Sequence, residues 1–172
     1  MRRITQLHFD HTQALFLSER SRREGIRGSL SMPVAAISFA VYAFSSLSAE
    51  VNPDRWRQLP TFFILLLGAA AAIALVASAW QVLMAEWLFV YHDPPRLADL
   101  FHDAAPSGDE AHQEEYARAV LAASYAVAYE QYLKGNAISS RCRTWALRLV
   151  LLSLVLQALA FVVLPFHRMG WG

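Results

Sequence analysis

The sequence predicts an all-α integral membrane protein with three transmembrane helices and a cytoplasmic helical extension, and three observations carry that prediction. Hydrophobic residues make up 56% of the 172-residue chain and are gathered into long stretches. Residues 29–48, 61–90 and 145–166 each reach the roughly 20 apolar residues a helix needs to cross a hydrocarbon core of about 30 Å. Aromatic side chains frame those stretches: Trp56 before the second, Trp87 and Tyr91 after it, Trp145 opening the third and Trp171 beyond it, where an interfacial belt belongs.

Charge sets the expected topology. Among the 15 Lys and Arg, Arg2, Arg3, Arg20, Arg22, Arg23 and Arg27 precede the first span, and Arg96, Arg118, Lys134, Arg141 and Arg143 lie between the second and third. The connection between the first two spans holds only Arg55 and Arg57, and the tail only Arg168. By the positive-inside rule the N-terminus and the long connection face the cytoplasm, with the C-terminus outside, in a multi-pass protein of the inner (cytoplasmic) membrane. A cleaved signal peptide fits the first span poorly, because its leading region would be about 28 residues long and contain Asp10, Glu19 and Glu24.

The expected divisions are therefore 1–28, a cytoplasmic or membrane-surface helix; 29–92, a transmembrane hairpin; 93–144, a cytoplasmic helical segment; and 145–172, the third transmembrane helix with a short outer tail. In the first, Ile4, Leu7, His11, Leu15 and Ser18 mark one helical face, with Phe9 and Phe16 beside it. Such a helix either lies on anionic headgroups or packs on the cytoplasmic helix of its own chain. Gly25 and Gly28 are expected to supply the turn into the first span.

The spans carry polar and small residues in stripes. In the first, Ser31, Ala35, Ser38, Tyr42 and Ser45 recur at helical spacing, and Pro33 falls in the first turn, where proline is tolerated. The second has Gly68, Ala71, Ser78, Gln81 and Ala85, with Gly68 and Ala72 fitting a small-xxx-small contact; the third has Ala146, Ser153, Gln157 and Ala160. Two readings of these stripes stay open. Small residues let helices approach and hydroxyls bond across the contact; alternatively a stripe lines a water-filled path in an oligomer. Between Thr61 and Tyr91 no proline intervenes, so one helix of about 46 Å is expected at 1.5 Å per residue, placing Gln81 and Glu86 at an interface within reach of an arginine such as Arg148.

His92-Asp93-Pro94-Pro95 ends that helix, and residues 96–103 read as a short helix or turn. Ser107 and Glu110 fit a capping box, opening a helix that meets no proline before Pro165 and has a weak point at Gly135-Asn136. On it Tyr125, Tyr129 and Tyr132 form one aromatic face, followed by Asn136, Arg141 and Arg143. Tyrosines that stack on bases and arginines that hold phosphates are ingredients of a ligand or partner site; the same row equally packs a neighbouring helix.

Catalytic chemistry is not legible. No H-E-x-x-H, G-x-S-x-G, C-x-x-C or P-loop occurs, His8 and His11 lack further ligands at metal spacing, and the lone Cys142 reads as a membrane-edge thiol. The expectation is a non-enzyme without cofactor or metal and without a nucleic-acid signature. Its expected partners are the lipid bilayer and further copies of itself.

A basic helix ending in Glu19-Arg20-Ser21-Arg22-Arg23, a tight two-helix hairpin, and a long helix bearing Tyr125 and Tyr129-Glu130-Gln131-Tyr132-Leu133 together resemble the SLATT-type small transmembrane effectors of bacterial anti-phage defence. The third span is added to the two-span plan of that group. The resemblance implies an effector that oligomerises to form or gate a pore, or to disrupt the membrane, when a nucleotide second messenger or a cytoplasmic partner protein signals. A structural subunit of a larger membrane complex and a small channel or transporter remain the alternatives.

Overall fold

The computed structural model describes residues 6–87 and 110–169, with side chains from Glu114 onward in the second stretch. Regular structure among them is helical: α1 (Gln6–Gly28), α2 (Ser31–Glu50), a 3-10 turn at Pro53–Arg55, α3 (Leu59–Trp87) and α4 (Glu110–Arg168). Three helical stretches, the α1–α2 run, α3 and α4, are long and apolar enough to cross a membrane. The expected turn at 96–103 and the Ser107 side of the capping box lie outside the described residues.

Element boundaries follow from local chemistry. Residues 29–30 form a turn between α1 and α2: Leu30 keeps right-handed angles (φ −72, ψ −19), and its N–H bonds to the Arg27 carbonyl at 3.2 Å. The turn expected at Gly25 and Gly28 falls just after them, since Gly25 lies inside α1 and Gly28 ends it. Pro33 sits in the first turn of α2, where it removes no intrahelical hydrogen bond. Val51 ends α2 in an extended conformation, and the Asn52 side chain then caps the 3-10 turn by accepting the Asp54 N–H at 3.0 Å. Helical structure in α4 continues through Gly135 and through Pro165, which falls in the last turn, where the Met169 N–H bonds the Pro165 carbonyl at 3.1 Å.

The chain divides into two compact units, residues 1–26 with 88–138 and residues 27–87 with 139–172. The first has its core where Phe16 of α1, 2% exposed, meets Ala128 and Tyr132 of α4, with Tyr125 and Tyr129 at the margin. The buried residues of α1 are Phe16, Arg23 and Ile26, at i, i+7 and i+10. The expected face through Leu7, His11, Leu15 and Ser18 is not the buried one: Leu7 is 77% exposed. Phe16 carries more apolar area than any residue on the rival face, and the helix turns it inward.

The second unit is a three-helix bundle. Its two apolar clusters each take residues from all three helices: Ala40, Leu75 and Val150 in one, and Leu47, Ile64, Ala160 and Leu164 in the other. From one cluster to the other the numbering rises along α2 and α4 and falls along α3. The α3 helix thus runs antiparallel to its two neighbours, and the short link of residues 51–58 requires this of α2 and α3.

Candidate functional site

Within the first unit, the tyrosine row is covered by α1. The Phe16 ring lies 5.3 Å from that of Tyr125 and 5.5 Å, edge to face, from that of Tyr132, and Phe9 adds a third contact at 5.9 Å from Tyr125. Edge-to-face and offset rings at this separation attract through their quadrupoles. One turn further, the Asn136 amide donates to both the Glu19 carbonyl and the Glu19 carboxylate at 2.8 Å, fixing the register of α1 on α4. Of the expected ligand-binding set, Tyr125, Tyr129, Tyr132 and Asn136 are therefore occupied by the chain's own helix. Arg141 and Arg143 belong to the other unit and differ from each other, Arg141 being exposed and Arg143 half-buried.

In the second unit, two of the three polar stripes close on one another. Residues of α3 and α4 spaced seven apart stand opposite in antiparallel register: Ala85 with Ser139, Ser78 with Ala146, Ala71 with Ser153. In each layer the serine hydroxyl donates to the carbonyl of the facing alanine, at 2.8, 2.8 and 2.9 Å respectively. All six residues are fully buried. A side chain as short as serine reaches a neighbouring backbone only if the helices nearly touch, and alanine opposite each serine permits that approach. The repeat of seven keeps the seam facing its partner over successive layers. Gln157, 1% exposed, extends it by donating to Ser153 Oγ at 3.2 Å, while its own Oε1 is buried without a partner. Gln81 is half-buried beside the seam. Gly68 faces α2 instead, where a Cβ would meet the Phe44 ring at 3.7 Å, an ordinary contact.

The stripe on α2 has the opposite fate. Ser31, Ala35, Ser38, Tyr42 and Ser45 are all exposed. Two of the serine hydroxyls turn back on the preceding backbone, Ser31 to the Gly28 carbonyl at the end of α1 and Ser38 to that of Val34, both at 3.1 Å, which satisfies them locally. Tyr42 has no such escape: it is 71% exposed, and its phenol is too far from its backbone to bond it.

The sequence reading missed two groupings. His167, 4% exposed at the end of α4, accepts the Asn52 N–H on Nε2 at 3.3 Å and meets Thr61 Oγ1 through Nδ1 at 2.8 Å. A ring nitrogen that accepts carries no hydrogen, so the Nδ1 hydrogen is the one shared with Thr61. Beside it, Arg168 pairs with Glu50. At the other end of the bundle Glu86 pairs at 3.5 Å with Arg27 and not with the expected Arg148; Arg148 instead lies over the Trp145 ring, 5.5 Å from its centroid. An apolar cleft of about 320 Å3 opens between α2 and α3 beside Phe44, Leu47, Ile64 and Gly68. No group of three His, Cys, Asp or Glu stands close enough to hold a metal among the described residues. The chain matches no protein family, no curated protein and no solved structure.

Proposed function

We propose that this is a non-catalytic membrane effector that assembles from several copies, with the polar face of α2 turned toward neighbouring copies and the path between them. The single observation that carries the proposal is Tyr42. It stands near the middle of a 20-residue helix, outward-facing, and a phenol in hydrocarbon without a hydrogen-bond partner is unfavourable by a few kcal/mol. Another copy or a water-filled path removes that penalty. Three helices packed on shared apolar clusters enclose no channel of their own, so a path requires several chains related by rotation.

The defence role rests on the resemblance of plan to SLATT-type effectors, with a cytoplasmic signal as trigger. Since Phe16 occupies the tyrosine row, a partner protein or nucleotide would act in this reading by shifting α1 from Tyr125 and Tyr132. In this reading the membrane is the inner (cytoplasmic) one, and the excess of Arg and Lys before the first span supports an inside N-terminus.

Disulfide cross-linking in membranes tests the assembly. In a Cys142→Ser background, cysteine at Ser38 or Tyr42 should cross-link between copies, and cysteine at Val76, exposed on α3, should not. Tyr42→Leu should abolish dye entry after induction in cells without lowering the amount of protein in the membrane. A chain that is monomeric at every concentration in detergent, and stable only with a co-expressed protein, is instead a structural subunit of a larger complex.

A further inference from the structure

The outward face of α4 changes chemistry once along its length. Leu152, Val155, Leu159 and Val162 are half or more exposed and lie within one stripe at helical spacing. Followed toward the start of the helix, the same stripe becomes Arg148, Trp145 and Arg141, at i, i−3 and i−7, all exposed. Counting back about 20 residues from Phe166 places Arg148 at the edge of the hydrocarbon. Arg141, seven residues on, is then about 10 Å further out at 1.5 Å per residue, so the two guanidinium groups bracket the depth of a headgroup.

Among the described residues neither arginine pairs with a carboxylate. Residues 139–168 contain no Asp or Glu, Glu86 is taken by Arg27 and Glu50 by Arg168. Arg148 stacks on the face of Trp145, 5.5 Å from its centroid, which leaves the guanidinium edge free to donate. Two guanidinium groups without a carboxylate among the described residues, that of Arg148 lying over the Trp145 indole, stand continuous with an exposed apolar stripe and match one ligand in both parts.

We infer that residues 141–148 form a binding site for an anionic phospholipid, the phosphate held between Arg141 and Arg148 and an acyl chain lying along Leu152, Val155 and Leu159. The continuity with the apolar stripe selects a lipid over a soluble anion, which would use the arginines alone. The inference rests on α4 standing in a bilayer, as the proposed function requires.

Native mass spectrometry of detergent-purified protein supplies the test, with phosphatidylglycerol and phosphatidylcholine as probes. Wild type should retain phosphatidylglycerol about 30-fold more tightly, the effect of two arginines at an anionic surface. Arg141→Gln with Arg148→Gln should bring that ratio close to one, and each single variant should lower it about fivefold. Inorganic phosphate at millimolar concentration should not displace the lipid; displacement would reassign the site to a soluble anion and overturn the inference. Equal retention of the two lipids by wild type, or an unchanged ratio in the double variant, overturns it as well. Flotation with vesicles of phosphatidylcholine alone isolates the membrane reading: wild type that fails to float there sinks both, whereas floating without lipid preference sinks only the site.

Discussion

The seam between α3 and α4 and the outer face of α2 are built from the same kinds of residue and end in opposite environments. Both are stripes of serine and alanine at helical spacing. In the seam every serine faces an alanine seven residues in step on an antiparallel partner, and its hydroxyl crosses to that partner's backbone. On α2 the hydroxyls of Ser31 and Ser38 bond the carbonyls of the preceding turn, and Tyr42 projects outward. What separates the two is a matching repeat on a second helix of the same chain. Polar content alone says only that a stripe wants a neighbour.

That contrast can be broken by changing size on each side of it. Ala71→Leu inserts three heavy atoms where the α3 and α4 backbones approach, and should destabilise the bundle by about 3 kcal/mol, at the upper end for overpacking. Ala35→Leu, the same kind of change on α2, should leave the unfolding of the monomer in detergent unchanged and lower the oligomer fraction. Equal thermal shifts for the two would mean the seam is no tighter than the open face.

The next largest effect is expected where the bundle is tied by a ring. His167→Ala removes the acceptor for the Asn52 N–H and the partner of the buried Thr61 hydroxyl, a loss of about 2 kcal/mol. His167→Asn, whose amide can serve one of the two, should recover part of it in the same thermal assay. Ser153→Ala removes one interhelical bond and leaves the packing intact, so about 0.6–1.7 kcal/mol is expected; a larger loss would mean that Gln157 depends on Ser153 for its place. The smallest change has the opposite sign. Gly68→Ala should stabilise by about 0.5 kcal/mol, because alanine is the better helix former and its Cβ meets Phe44 at an ordinary 3.7 Å.

The apolar runs and the helix that passes Gly135 were readable from sequence because length and hydropathy are local properties. The partners of the polar groups were not. Ser139 stands in Ser139-Ser140-Arg141, a basic edge in which nothing distinguishes it, until α3 is laid beside it in antiparallel register. Glu86 is 59 positions from Arg27 and 62 from Arg148, so spacing could not choose between them. On α1 the leucine-rich face and the Phe16 face compete, and Arg23 on the winning face is a residue whose burial no hydropathy pattern anticipates. The tyrosine row was visible as a row, but whether it receives a ligand or a helix depended on where Phe16 falls along α1.

The tie made by His167 also has a place in time. Asn52 and Thr61 lie 115 and 106 residues before it, so during synthesis at about 5–20 residues per second the hairpin of α2 and α3 exists on the order of 5–20 s before the ring that closes its loop has been made. Over that interval the seam lacks one of its two sides, and Ser78 of α3 has no facing carbonyl. A nascent chain stalled before Ser139 should therefore be cut readily at Arg55 or Arg57, and one stalled beyond His167 should resist. The order in which the helices emerge makes α4 the piece that ends the vulnerability of everything before it.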